Sequence, residues 1–343
     1  MIMNKTKLGV NRNSVFILLA IAVLIPIVSG GNEYISSVSC FLLMYIIAVS
    51  GIDILFGYCG QISMGHAAFY AIGAYVSALL HNILNIPVIF TMFIASAFAA
   101  VVGAILAYPA SKLLFHFLSL ATMSFGEIVY QVAMNSPNRI TGNAVGLFTE
   151  KLTLFGFRFG NFRTFYFFAL ACAIIFVTLK VFLVSGKTGR AFMAIRENTH
   201  AAAGMGINVR AYKVKAFTVS AFYTAFAGAM YMHIVGFVYP EMFIQKQSVL
   251  FITMLLFGGS GNFLGPIIGS ASVMVVTESI RSLREFQMIT YGVLLLIVII
   301  ALPGGLYGAV QDLISNMRHK YGKNSNNGGG SSSEESDVVQ MKG

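Results

Sequence analysis

Charged residues are scarce in this sequence, at 10% of its 343 positions. Soluble domains usually carry about 25% charged residues, so this scarcity excludes a soluble globular fold. The strict alternation of polar and apolar residues that an outer-membrane β-barrel requires is also missing. The chain instead has 57% hydrophobic residues, and its apolar runs are long enough for helices that cross a hydrocarbon core of about 30 Å. The sequence therefore predicts an all-α fold, a polytopic transmembrane helical bundle.

Motifs of catalysis and metal binding are absent as well. The three cysteines have no CxxC spacing, the six histidines are scattered, and neither H-E-x-x-H nor G-x-S-x-G occurs. Residues 186–188 (GKT) resemble the end of a phosphate-binding loop, but Val181 stands where that motif needs a glycine. Ser63 and His66 are close in sequence but lack a third group to orient a nucleophile and its base. We expect no catalytic residue, metal or cofactor in this chain, and any ATP hydrolysis to occur in separate subunits.

The apolar runs predict about ten segments. The eighth run is too short to cross a membrane alone and stops at a glycine-rich stretch, so a half-helix, a re-entrant segment and a span merged with its neighbour all stay open. The first run, preceded by basic residues, is expected to be an uncleaved helix rather than a signal peptide. The runs are 15–28, 35–56, 62–80, 86–108, 113–134, 162–184, 214–237, 249–257, 263–280 and 286–302.

The basic residues predict the orientation of the bundle. With all ten segments crossing, fifteen of the 22 basic residues, Lys180 among them, fall on the side of the N-terminus. Basic residues accumulate on the cytoplasmic side of membrane proteins. We therefore expect a multi-pass membrane protein with both termini cytoplasmic.

This topology divides the chain into regions. Residues 1–14 form a cytoplasmic N-terminus, and residues 15–310 form the transmembrane domain. Residues 135–162 form an outer loop, which either docks an external partner or only connects two spans. Residues 186–213 form a cytoplasmic segment. Residues 311–343 form a polar tail without an apolar face, which is expected to be disordered.

A glycine-rich break with polar side chains separates two long apolar runs at residues 56–69. Unwound backbone at membrane depth is tolerated only where protein buries it or where it lines a wet cavity. The break is therefore a candidate part of a transport path, although an ordinary polar turn would have the same composition. Residues 57–61 (GYCGQ) have a partial echo in residues 258–262 (GGSGN), and paired interruptions point to a transporter's internal repeat. The candidate path residues in the two breaks are Gly60, Gln61, Ser63, Gly65, His66, Gly258, Gly261 and Asn262.

Two acidic residues, Asp53 and Glu127, lie inside apolar runs. A carboxylate at membrane depth costs several kcal/mol and should face the bundle interior or water. Glu127 is therefore also a candidate path residue. A structural carboxyl bonded to a neighbouring helix, or a group that couples proton movement, is the alternative.

A patterned segment at residues 186–207 is too polar to span a membrane. Phe192 and Ile195 fall on one helical face flanked by basic side chains, and Ala201 to Ala203 favour helix until Gly204 and Gly206. We predict a short cytoplasmic helix. It either docks a cytoplasmic partner or lies on the lipid surface.

Several stretches taken together resemble one family of membrane proteins, the M-type permease subunits of ABC importers for branched-chain (hydrophobic) amino acids. Each stretch is short, but they occur in family order along most of the chain. They are 57–69 (GYCGQISMGHAAF), 73–75 (GAY), 122–128 (TMSFGEI), 188–197 (TGRAFMAIRE), 201–207 (AAAGMGI), 227–231 (AGAMY), 258–266 (GGSGNFLGP) and 303–308 (PGGLYG).

The resemblance implies a permease of the bacterial plasma (inner) membrane that works with a homologous H-type permease subunit, two cytoplasmic ATP-binding subunits and an external substrate-binding protein. It also implies that residues 189–206 couple the permease to its ATPase, although Asn198, Thr199 and His200 stand where the family often carries acidic residues. A urea or short-amide permease of the same family and an ion-coupled secondary carrier remain as alternatives, the latter using Asp53 or Glu127 as its ion site. The coupling residues that the resemblance implies are Gly189, Arg190, Ala194, Arg196, Glu197, Ala201, Ala202 and Gly206.

Overall fold

A computed structural model of the chain describes residues 32–111, 115–137, 140–154 and 157–280, with isolated positions at 289, 292, 293 and 296. The predictions for the first and last apolar runs, the N-terminus and the polar tail lie outside these residues.

The described part of the chain forms ten α-helices, which confirms the predicted all-α class. Five of them are long and apolar enough to cross a membrane, namely α1 with its continuation to Tyr58, then α2, α3, α4 and α5. The helices are α1 (Glu33–Asp53), α2 (His66–Leu84), α3 (Val88–Ala110), α4 (Phe115–Asn135), α5 (Phe162–Ser185), α6 (Lys187–Glu197), α7 (Thr199–Gly204), α8 (Val209–Val235), α9 (Gln245–Gly258) and α10 (Gly265–Ile280).

Helix α8 lies at the centre of the bundle and packs against α1, α2 and α3. The approach to α2 is close, because a Cβ atom at Gly73 or Gly228 would collide with backbone atoms of the facing helix. The polar residues Ser220, Thr224 and His233 of α8 are fully buried among these helices. Because α8 is surrounded by protein, it tolerates polar groups that a lipid-facing helix could not satisfy.

Helices α9 and α10 pack side by side and are joined by a glycine-rich turn. The close contact relies on glycine, since a Cβ atom at Gly258 or Gly269 would collide with the backbone of the other helix. Helix α9 has 14 residues, which is about 21 Å at 1.5 Å per residue and shorter than the hydrocarbon core. The turn separates α9 from α10, so the alternative of one merged span is wrong, and α9 is too short to span alone, as predicted.

The end of the bundle opposite α6 carries the predicted outer loop. Strand β1 (Leu147–Phe148) pairs with β4 (Phe237–Val238), and β2 (Thr153–Leu154) pairs with β3 (Phe157–Arg158), both antiparallel. The ring of His233 lies 2.8 Å from Ser77 Oγ and 3.1 Å from the carbonyl of Glu150. These contacts attach the loop to α2 and α8.

Candidate functional site

The first glycine-rich break carries the chain from the α6 end of α1 back into the bundle. After a π-helical turn (Ile54–Tyr58), the backbone is irregular up to the start of α2 at His66. The side chain of Gln61 is buried and donates to the carbonyl of Lys213 on α8 at 3.1 Å. The amide of Met64 donates to Thr122 Oγ1 on α4 at 3.0 Å. The break is therefore largely buried in protein, which is one of the two environments in which unwound backbone is tolerated in a membrane protein.

His66 fixes the start of α2 inside the bundle. Its Nε2 lies 2.8 Å from Ser220 Oγ on α8, and its Nδ1 lies 3.3 Å from the carbonyl oxygen of Ser63. The next amide, of Ala67, donates to Ser248 Oγ on α9 at 2.8 Å. Because His66 contacts the carbonyl and not the hydroxyl of Ser63, the two side chains do not form a nucleophile and its base.

The two glycine-rich breaks, far apart in sequence, lie in direct contact. The amide of Gly261 donates to Oδ1 of Asp53 at 2.7 Å. A Cβ atom on Gly57 would collide with that same Oδ1 and lie 2.5 Å from the Gly261 nitrogen. Gly261 itself has φ +78°, in the left-handed region that favours glycine. Any side chain at Gly57 would therefore push the two breaks apart.

A buried ion pair holds this contact. Lys180 Nζ of α5 lies 2.6 Å from Oδ2 of Asp53, and the two side chains are 2% and 0% exposed. Lys180 also donates to the carbonyl of Asn262 at 3.3 Å and lies 5.7 Å from the ring centre of Tyr58. Each charge alone would be costly to bury, so each depends on the other. The pair links α1, α5 and the second break.

Helix α6 reaches the same place through Arg196. Its Nη1 donates to the carbonyl oxygen of Gly57, and a Cβ atom at Gly261 would lie 2.9 Å from that nitrogen. Gly60 has φ +71°, and a Cβ atom there would lie 3.1 Å from Arg196 Cγ. We call the set Asp53, Gly57, Lys180, Arg196 and Gly261 the junction. It joins α1, α5, α6 and both breaks.

Phe192 and Ile195, which the sequence pattern places on one face of the predicted helix, are buried against the bundle and anchor α6 there. Gly189 fits tightly against the backbone of Val184 at the end of α5. The remaining coupling residues differ in exposure: Ala202 is buried, Ala194 is half-buried, and the others are exposed. The exposed ones are Arg190, Arg196, Glu197, Ala201 and Gly206.

Beside the junction, Cys59 is a buried thiol that accepts a hydrogen bond from Gln61 Nε2 at 3.3 Å. Burial raises the pKa of Cys59 to about 11 by disfavouring the charged thiolate. The group is therefore neutral and unreactive at neutral pH.

Glu127 lies apart from the junction, on the outward face of α4. Its side chain is exposed, and Oε1 accepts a hydrogen bond from Gln131 Nε2 at 2.8 Å. It lines a groove of about 690 Å³. The groove is bounded by Ser124, Glu127, Ile128, Gln131, Val132, Asn135, Ser136 and Pro137.

Both breaks were recognisable as candidates from the sequence, but the ion pair that connects them was missed. The count of basic residues assigns Lys180 to the cytoplasmic side although it lies inside the predicted run 162–184, whereas in the structure Lys180 is buried within α5. A lysine and an aspartate inside two separate apolar runs are the signal that suggests a buried pair. Among the described residues, no group of three or more His, Cys, Asp or Glu side chains is placed to hold a metal ion.

Comparison with known proteins gives consistent results. Residues 34–302 match the family described as the permease component of a branched-chain amino acid transport system. The chain is 32% identical to the high-affinity branched-chain amino acid transport system permease protein LivM of Escherichia coli (strain K12), over 84% of this chain and 73% of that protein. The LivM of Salmonella typhimurium (strain LT2) is 31% identical with the same coverage.

A more distant relative is the probable branched-chain amino acid transport permease protein LivM of Methanocaldococcus jannaschii. It is 23% identical over 78% of this chain and 90% of its own length. No solved structure matches.

Proposed function

Because the chain belongs to the family of branched-chain amino acid transport system permease components, we propose that it is the membrane-spanning permease subunit of an ATP-driven ABC importer for branched-chain and other hydrophobic amino acids. It is a transport subunit, and ATP hydrolysis belongs to separate subunits. The observation that carries the mechanism is the junction, where one exposed helix contacts both glycine-rich breaks through a single arginine.

The junction gives α6 a rigid connection to the bundle. Arg196 donates to Gly57 in the first break, and Gly57 contacts Gly261 in the second. The Asp53–Lys180 pair then ties the second break to α1 and α5. Displacement of α6 by a bound ATPase would therefore move both breaks together. Packed interfaces of this kind transmit small shifts because they do not deform continuously.

The proposed partners follow from the family and from the surfaces that the chain leaves uncovered. An ATP-binding subunit contacts the exposed side of α6 and α7, where Arg190, Glu197 and Ala201 are accessible. A homologous H-type permease subunit completes the membrane part, and a second ATP-binding subunit serves that partner. An external binding protein delivers the amino acid to the loop at the opposite end. The side of α6 is then cytoplasmic, in the plasma membrane of the cell.

The candidate path residues take two roles in this proposal. Gln61, Ser63 and His66 are buried and bonded to neighbouring backbone or side chains, which supports a role in holding the break. The other candidates lie in the two breaks or at the helix ends beside them, namely Gly60, Gly65, Gly258, Gly261 and Asn262. Glu127 faces outward from the chain, and we place the solute path along its helix.

Neither alternative function gains support from these contacts. An ion-coupled carrier that used Asp53 would need an available carboxylate, whereas Asp53 is engaged by Lys180 and by the Gly261 amide. A urea or short-amide permease is not among the matched relatives, which are described as branched-chain amino acid permeases.

The proposal is tested by uptake of radiolabelled leucine, isoleucine, valine and urea in cells that lack this chain but keep its partners. We expect restored expression to restore uptake of the three amino acids and not of urea. Uptake should stop when ATP is depleted while the membrane potential is held. Uptake whose rate depends on the membrane potential and not on ATP would instead indicate a secondary carrier.

A further inference from the structure

Helix α4 packs against the rest of the chain by one face only. Its main helical neighbour is α2, and only 17% of its spanning part is buried, compared with 78% for α1 and its continuation. The buried face carries Thr122 and Gly126, which contact Gly65. The groove described above lies on the opposite face.

Polar side chains recur along this exposed face. Ser124, Glu127, Gln131 and Asn135 follow one another at intervals of three or four residues, so they form one stripe along the helix. The stripe is continuous, because Gln131 Nε2 donates to Glu127 Oε1 at 2.8 Å and Asn135 donates to the carbonyl oxygen of Gln131 at 2.9 Å.

Lipid cannot satisfy the polar side chains of this stripe. A carboxylate inside a bilayer is costly to leave facing lipid, and Glu127 has no ion-pair partner among the described residues. Asp53, the other acid inside a spanning helix, is neutralised by Lys180. The stripe on α4 therefore requires water or a cationic group opposite Glu127.

We propose that this groove binds the amino acid in transit and that the Glu127 carboxylate receives its ammonium group. This inference rests on the proposed import of branched-chain amino acids. Such a solute has a cation, an anion and a branched apolar side chain. The groove offers a carboxylate at Glu127, amide donors at Gln131 and Asn135, and apolar contact at Ile128 and Val132, which are 60% and 58% exposed.

Binding at this groove should be weak, since a solute must leave it in every cycle. Loss of one charge-assisted hydrogen bond in a partly wet site should lower the occupancy of the groove roughly tenfold. We therefore expect Glu127→Gln to lower the maximal uptake rate about tenfold. The KM, which is set by capture at the external binding protein, should change little. Glu127→Asp should retain part of the rate.

A direct measurement uses a cysteine placed at the rim of the groove. In the assembled transporter, a Ser136→Cys variant is labelled with a maleimide in the presence of leucine or of 4-methylpentanoate, which is leucine without its amino group. Background labelling is measured in the assembled transporter without this substitution. We expect leucine to slow labelling, 4-methylpentanoate to have no effect, and Glu127→Gln to abolish the protection. Glu150 is an exposed acidic residue outside the groove. Glu150→Gln is therefore the matched control, and leucine should still slow labelling in that variant.

The outcomes separate this inference from the proposed function. Suppose that wild-type uptake depends on ATP, but that leucine protects neither the Ser136→Cys variant nor the Ser136→Cys/Glu150→Gln variant from labelling. The ammonium site is then wrong while the importer stands, and the same holds if leucine and 4-methylpentanoate protect equally. If the Ser136→Cys variant is labelled as the isolated chain but not in the assembled transporter, the groove is only an interface with the partner permease. If the wild-type transporter imports no amino acid, both proposals fail.

Discussion

The ion pair between Asp53 and Lys180 allows a quantitative test of the junction. Its atoms lie 2.6 Å apart with side-chain exposures of 0% and 2%. At an effective dielectric constant of about 20, two unit charges at this distance attract by about 6 kcal/mol, and desolvation of both groups offsets much of that. Removing one partner leaves an uncompensated buried charge, which costs about 3–5 kcal/mol. Lys180→Met should therefore destabilise the protein strongly.

The double variant Asp53→Asn/Lys180→Met separates the effect of an unpaired buried charge on stability from the effect of changed side-chain shape. With both charges removed, no buried group stays uncompensated, and stability should return to within about 1–2 kcal/mol of wild type. The free energy of unfolding is measured in mixed micelles by titration with a denaturing detergent. Equal losses in the single and the double variant would refute the reasoning, because the stability would then not depend on pairing. Lys187→Met, on the exposed start of α6, is the control and should change little.

Three further predictions concern the residues around this pair. Arg196→Ala should leave ATP hydrolysis and co-purification of the subunits intact while uptake falls at least about tenfold, whereas an equal loss of hydrolysis and uptake would point to failed assembly. Gly57→Ala should lower the midpoint of thermal unfolding, because its Cβ would collide with Asp53 Oδ1, while Gly204→Ala, which meets nothing within 4 Å, should not; equal effects would contradict the contact. Cys59, with its pKa raised by burial to about 11, should react with maleimide at pH 7 far more slowly than a cysteine introduced at Met205, which is 71% exposed. Its rate should rise with pH up to about 11 as the thiolate forms, and fast labelling at pH 7 would show that the break is open.

The membrane segments and the short helix α6 were predictable from the sequence, because both depend on local composition and periodicity. Apolar runs fixed the approximate limits of α1 to α5, and the spacing of Phe192 and Ile195 gave the buried face of α6. The glycines of both breaks were also recognisable. These features need no knowledge of which helices are neighbours.

The junction was not predictable, because it depends on pairs far apart in the chain. The Gly261 amide and Asp53 are 208 positions apart. Arg196 donates a hydrogen bond to Gly57, which lies 139 positions away in the sequence. Hydropathy gives helices without their arrangement, so one sequence does not reveal that Lys180 faces Asp53. The same limit applies to Glu127, since a carboxyl in an apolar run does not indicate whether its own chain covers it.

Transport by the purified components tests the proposed coupling most directly. Vesicles containing this chain, the partner permease and the ATP-binding subunits are loaded with ATP, and radiolabelled leucine is added outside with and without the binding protein. We predict leucine accumulation that requires both ATP and the binding protein, persists when the membrane potential is dissipated, and is lost in Arg196→Ala vesicles that still hydrolyse ATP. Accumulation by this chain alone, driven by an ion gradient and unchanged in Arg196→Ala, would contradict it.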